Sequence, residues 1–255
     1  DGALKGMATV GDRMAGLAGT AAKVGAGIGA AFGGLAVGGI GLAVNAAAEF
    51  EKTMSGIGAV SGATAGEMEK LSGLALQLGK DTSFSASAAA AGIEELIKGG
   101  VGIADVMGGA AKSMLDLAAA GGVSLPESAE IAANALAMFG LEGSDMAHVA
   151  DLIAGAANAS SLSVSDFKFS MAAAGAVASQ SGQQFDDLAE AIAIMGKAGL
   201  KGSDAGTSLK TFLMNLQPTT DKATGAMRDL GLITADGANA FINANGSFKG
   251  MAEIA

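Results

Sequence analysis

Residues 124–140, SLPESAEIAANALAMFG, decide the fold class of this chain. Ser124 is a helix N-cap, Pro126 sits in the first turn where its missing N–H costs nothing, and Glu127 stands three residues after the cap, as a capping box requires. Apolar Leu125, Ile131, Ala132, Ala135, Leu136 and Phe139 recur at helical spacings, and Gly140 follows the last of them as a stop. Working outward, the same grammar repeats: a Ser or Thr cap, an Ala- and Leu-rich run, a glycine.

Upstream, Thr64 and Glu67 predict a capping box and a helix to Leu78, ended by Gly79. Helices are expected over Ser85 to Lys98, closed by Gly99 and Gly100, and over Ile103 to Ala120, closed by Gly121 and Gly122. Downstream, they are expected over Ser144 to Ala157, from Ser163 or Ser165 to about Ser179, over Gln183 to Ala198, and over Ser203 to Leu216 before Pro218. A last pair is placed at Thr220 to Leu230 and Thr234 to Asn243.

Composition agrees with an all-α chain. There are two prolines in 255 residues, and half of the residues are hydrophobic, with Ala dominant and Phe the only aromatic. The 41 glycines oppose long helices, since each costs about 1 kcal/mol in a helix interior relative to Ala. Short helices in a bundle are the expected architecture. Matching Ser83-Phe84-Ser85 onward to Ser163-Val164-Ser165 onward, at an offset of about 80 residues, suggests a duplicated four-helix unit, with repeats at 81–160 and 161–240.

The N-terminus differs. Residues 1–23 read as an amphipathic helix, with Lys5, Arg13 and Lys23 among Leu4, Met7, Val10, Met14 and Leu17. Residues 24–48 carry no charge and are long enough to cross a bilayer, which takes about 20 residues. Gly25, Gly29 and Gly33 recur every fourth position, and Gly34 with Gly38 continues the pattern beside them. Together with Phe32, Leu35 and Ile40 they make a candidate face for membrane insertion or for close helix packing. Two readings stay open, a transmembrane helix or a Gly/Ala helix buried in an oligomer. The run is too long for a cleaved signal peptide and follows a whole helix. With no initiator methionine, the chain reads as cut from something longer, with 49–243 as its helical core domain and 244–255 as the start of a continuation.

Chemistry is sparse. The one histidine, His148, lies three residues from both Asp145 and Asp151, yet no other His or Cys exists to complete a zinc site. Glu94-Glu95 and Asp186-Asp187, with Glu190, are the paired carboxylates. They fall at solvent spacing on helices, and the chain has no Trp or Tyr to seat a sugar ring. Gly199-Leu200-Lys201-Gly202-Ser203 lacks the spacing and the preceding strand of a phosphate loop. No catalytic, metal or cofactor site is expected. A net charge of −10 with dispersed Lys and Arg opposes specific docking on nucleic acid. The absence of cysteine leaves the redox compartment open.

Glu49-Phe50-Glu51-Lys52-Thr53-Met54, Ser61-Gly62-Ala63-Thr64 and Leu78-Gly79-Lys80-Asp81-Thr82-Ser83-Phe84-Ser85 occur in an order that resembles the core of siphophage-type tail tape measure proteins. The likeness continues through Leu117-Ala118-Ala119-Ala120-Gly121, Phe139-Gly140-Leu141, Val149-Ala150-Asp151 and Ala156-Ala157-Asn158. It ends with Gly199 to Ser203 and Ala205-Gly206-Thr207-Ser208-Leu209, so that it spans about residues 45 to 217. The resemblance implies a non-enzymatic structural protein of the virion, in the tail tube lumen or tail tip, whose length sets tail length. Its implied partners are the tail tube protein, tail assembly chaperones, tail-tip or baseplate proteins and further copies of itself. It also implies passage into the host cell envelope at genome ejection, where residues 24–48 would meet membrane. The alternative is a pore-forming helical protein unconnected with tail length. This stretch lacks the long heptads of an extended ruler, so compact packing is expected.

Overall fold

A computed structural model describes residues 40–254. The candidate face at Gly25, Gly29, Phe32, Gly33, Gly34, Leu35 and Gly38 lies outside the described residues, as does the expected helix over 1–23. Ile40 is the first described residue and already helical.

The described chain is helical, in the order α1 (Ile40–Ser61), α2 (Ala65–Asp81), α3 (Ala86–Lys98), α4 (Ala111–Gly121), α5 (Leu125–Phe139), α6 (Met146–Ala159), α7 (Val164–Gln180), α8 (Phe185–Lys197), α9 (Gly202–Asn215) and α10 (Asp221–Asp229). A turn at Ile103–Asp105 and a π-helical turn at Val106–Ala110 lead into α4. Gly109, at φ 141°, breaks what the spacing predicts as one helix from Ile103, because only glycine enters that region at low cost. Two isolated antiparallel bridges, Ile233 to Asn239 and Ile242 to Phe248, replace the helix expected at Thr234 to Asn243. Asp236-Gly237 and Asn245-Gly246 are the reason, since both glycines take positive φ and turn the chain sharply.

The helices stack in pairs. Odd-numbered helices pack successively, α1 on α3, α3 on α5, α5 on α7 and α7 on α9, while α4 packs on α6 and α6 on α8. This is the arrangement of an α-solenoid, in which each hairpin touches chiefly its neighbours. The N-caps Ser85, Ser124 and Ser163 stand at intervals of 39 residues. An offset of about 80 residues is close to two such intervals.

Caps set the boundaries. Thr64 and Glu67 exchange bonds, the Thr64 N–H donating to Oε2 at 2.8 Å, and Ser163 with Asp166 does the same at 3.0 Å. Ser124 accepts from the Glu127 N–H at 3.3 Å, but the Glu127 carboxylate does not complete that box. It instead accepts from the Ser165 hydroxyl at 2.8 Å and ties α5 to α7. Gly122 and Gly140 end their helices at φ 63° and 65°. Gly79 is no stop: it lies inside α2, where a Cβ would stand 2.4 Å from the Ala86 backbone nitrogen.

The core is one continuous layer between the two rows of helices, built of Ile57, Leu71, Ile93, Leu96, Met114, Leu117, Ile131, Ile153 and Phe167, each almost wholly buried. Phe185 meets Phe139 and Phe167 edge-on, with centroids 5.4 and 6.2 Å apart, and so joins α5, α7 and α8. Elsewhere the small side chains draw the helices close together. Gly206 of α9 is seated on α7, where a Cβ would lie 2.3 Å from the Ser170 carbonyl oxygen.

Candidate functional site

The polar side chains that could carry chemistry serve as ties between helices or as partners within one helix. The His148 ring approaches Asp186 of α8 at 2.9 and 3.1 Å, and both side chains are more than half exposed. The pairing that sequence spacing offers, with Asp145 and Asp151, is not the one the fold makes. Asp145 accepts from the Glu142 N–H at 2.9 Å. Among the described residues no three His, Cys, Asp or Glu side chains are grouped to hold a metal ion.

The paired carboxylates are also engaged. Glu94 and Glu95 both contact Lys98 one turn on, each at 3.0 Å, and these bonds raise the lysine above its ordinary range. Asp186 takes His148, while Asp187 accepts from the Gln184 N–H at 3.1 Å at the start of α8. Lys201, at the start of α9, donates to the Ser161 carbonyl in the α6–α7 turn. Lys168 reaches Glu130 at 2.8 Å, a second tie between α5 and α7.

Many of these ties join residues 38 to 41 apart: Glu127 to Ser165, Glu130 to Lys168, His148 to Asp186, Met138 to Ser179 and Ala46 to Ser87. Each spans one step of the stack. Sequence spacing alone misses them, because the reader has no reason to compare positions so far apart until the period is known.

Inside the stack two serines do equivalent work. Ser128 is fully buried and donates to the Met114 carbonyl at 2.6 Å, tying α5 to α4. Ser170 is fully buried and donates to the Gly202 carbonyl at 2.7 Å, fixing the entry of α9. Hydrogen bonds from the Ser163 N–H and hydroxyl hold the Asp166 carboxyl below its ordinary value of 3.8. Bonds from Thr64 do the same for Glu67.

A groove of about 650 Å³ between α1 and α3 is edged by Glu49, Lys52 and Glu94. Another, of about 300 Å³, lies among Val177, Leu213, Met214 and Phe248. Neither gathers a nucleophile with a base, and neither has the apolar enclosure of a cofactor site. Among the described residues no helix is long and apolar enough to cross a membrane. The uncharged run enters α1 but ends there at Ala48, where Glu49, Glu51 and Lys52 follow.

Among the described residues, many of the polar groups named above cap helices or tie them together. The chain is 37% identical over 205 residues to the tape measure protein of Pneumococcus phage Dp-1, covering 80% of this chain and 17% of that protein. It is 31% identical over 190 residues to a protein of Escherichia phage P2 named "Probable tape measure protein", covering 74% of this chain and 23% of that one. The chain thus spans about a fifth of the length of these relatives. No solved structure matches it. Residues 72–255 match the family of phage-related minor tail proteins, and with most of its length inside that match the chain belongs to this family of phage tail proteins.

Proposed function

We propose that this segment is part of a tail tape measure protein, a structural, non-enzymatic scaffold around which tail tube subunits assemble and whose length is read out as tail length. The observation that carries the reading is the likeness to two tape measure proteins, in a helical stack where several ionisable side chains serve as caps and interhelical ties. Tail tube protein, assembly chaperones and tail-tip or baseplate proteins are the partners this role requires, and copies of the chain would associate with one another inside the tail. The place of action is the tube lumen or tail tip, and the host envelope once the genome is released.

Delivery through the envelope rests on residues 24–48. An uncharged run with Gly25, Gly29, Gly33, Gly34 and Gly38 at close-packing intervals suits insertion and oligomerisation in lipid. Liposome flotation with dye release tests this, comparing the native chain with one carrying Gly34→Asp and Gly38→Asp, since a mid-membrane charge costs several kcal/mol. Flotation and release by the native chain alone support delivery. Lipid binding by neither leaves the segment as packing material. Purified tails probed by mass spectrometry separate the scaffold from a free pore-forming protein, which would be absent from them.

A further inference from the structure

Asn245 is the one asparagine of the chain that glycine follows. It lies exposed in the turn 243–247, which the Asn243 N–H closes by donating to the Ser247 carbonyl at 2.8 Å, beside the bridge between Ile242 and Phe248. Its side chain is held in place. The Asn245 Oδ1 accepts from the Ser247 N–H at 3.1 Å and from the Ser247 hydroxyl at 2.8 Å. The Asn243 Nδ2 donates to that hydroxyl oxygen at 3.1 Å and so aims it. A side-chain carbonyl bonded to the N–H two residues on curls over the peptide between them, whose nitrogen here belongs to Gly246.

We propose that Asn245-Gly246 is a site of irreversible self-modification, at which the turn itself promotes conversion of Asn245 to aspartate and isoaspartate. The Gly246 nitrogen gives its proton to water and attacks the Asn245 Cγ, and the carbonyl electron pair moves onto Oδ1. When that pair returns, the Cγ–Nδ2 bond breaks, and Nδ2 takes a proton from water and leaves as ammonia. Water then opens the cyclic imide at either carbonyl, giving aspartate or an isoaspartate whose main chain runs through the former side-chain carbon. Negative charge gathers on Oδ1 in the adduct, where the two Ser247 donors already point, as in an oxyanion hole. Gly246, at φ 87°, puts no side chain in the way of the attack.

An oxyanion donor enclosed in an enzyme is worth about 10²–10³ in rate, and less at an exposed turn. Against the two donors stands the Gly246 N–H bond to the Asn243 carbonyl at 2.9 Å, which must break and slows attack about fivefold. The balance is about a tenfold acceleration over the unfolded chain. Asp236-Gly237 shares the glycine but not the reactivity, because bonds from Thr234 and from its own backbone hold the Asp236 carboxyl below its ordinary 3.8, and a carboxylate resists attack. The conversion bears on packing nearby. Phe248 is 7% exposed, and its N–H donates to the Ser181 carbonyl in the α7–α8 turn at 2.8 Å. Isoaspartate adds a main-chain carbon to the turn, so the closure between Asn243 and Ser247 is lost and the hold on Phe248 loosens.

Incubating the full chain at mildly alkaline pH, folded and in urea, and following the tryptic peptide 229–249 by mass spectrometry tests the proposal. Fragmentation assigns the amide-to-acid mass gain to Asn245, which should convert about tenfold faster in the folded chain than in urea, while Ser247→Ala should bring the folded rate down to the unfolded one. A folded rate equal to or below the rate in urea overturns the proposal, and so does an acceleration that survives in Ser247→Ala. Converted chains, separated by ion exchange, should exchange the Phe248 amide hydrogen about tenfold faster than the native chain. Unchanged protection of Phe248 overturns the effect on packing.

Discussion

The same substitution at two glycines should act with opposite sign. Gly206 lies inside α9 against α7, and a Cβ there would stand 2.3 Å from the Ser170 carbonyl oxygen, 2.7 Å from the Ala173 Cβ and 2.9 Å from the Ser170 Cα. Two of these three atoms are backbone, so no rotamer change relieves the overlap and α9 must move off α7 as a unit. Replacing Gly by Ala in a helix gains about 1 kcal/mol from propensity. Forcing a methyl into a packed seam costs about 1–3 kcal/mol, and an overlap with backbone belongs at or beyond the upper end of that range. The shift would also loosen the Ser170 to Gly202 bond, worth about 1 kcal/mol. Gly206→Ala should therefore destabilise by about 2–3 kcal/mol. Gly155, exposed and inside α6 with nothing within 4 Å of its Cβ position, has only the propensity gain, so Gly155→Ala should stabilise by about 0.5–1 kcal/mol. Urea denaturation followed by circular dichroism gives both values. A Gly206→Ala chain as stable as the native one would refute the close packing of α7 and α9.

Other consequences follow from single side chains. Ser128→Ala strands the tie to the Met114 carbonyl and should cost about 1 kcal/mol by the same assay, while Ser163→Ala removes a cap and should cost a similar amount. The Asp166 carboxyl is held below its ordinary 3.8 by Ser163, so its contribution is complete above that value and is lost as pH falls through the lower folded value. NMR titration of Asp166 should therefore give a midpoint below 3.8 in the native chain and return it toward that value in Ser163→Ala. The exposed His148 to Asp186 contact should contribute little, so His148→Ala should change stability by less than about 0.5 kcal/mol, and added zinc should not raise the melting temperature.

Local grammar made much of this legible in advance. Thr64, Ser85, Ser124 and Ser163 are caps because a hydroxyl two or three residues before an amide can satisfy it, a relation contained within a few residues. Gly122 and Gly140 stop helices for an equally local reason. Gly79 looked the same in sequence and acts differently, since its role is set by Ala86 on another helix. Thr234 to Asn243 has a helical share of alanine, but the Asp-Gly and Asn-Gly pairs outweigh it by turning the chain twice. The order of stacking was not readable at all from periodicity, which marks the buried face of a helix without naming what covers it. Glu127 illustrates the cost of that limit: cap spacing assigns its carboxylate to Ser124, and the stack gives it to Ser165.

Removal of one step of the stack from the phage that encodes this chain tests the structural role most directly. Deleting residues 125–163 joins the Ser124 cap to α7 and takes out 39 residues, the interval between the two caps. If the step lies stacked in the tail it accounts for about 10 Å, the spacing of packed helices, and if drawn out as helix for about 58 Å. Averaged electron micrographs of purified tails should show tubes shorter by an amount in this interval, and the value itself reports which form the virion holds. Fully infectious particles with tails of unchanged length would contradict the scaffold account.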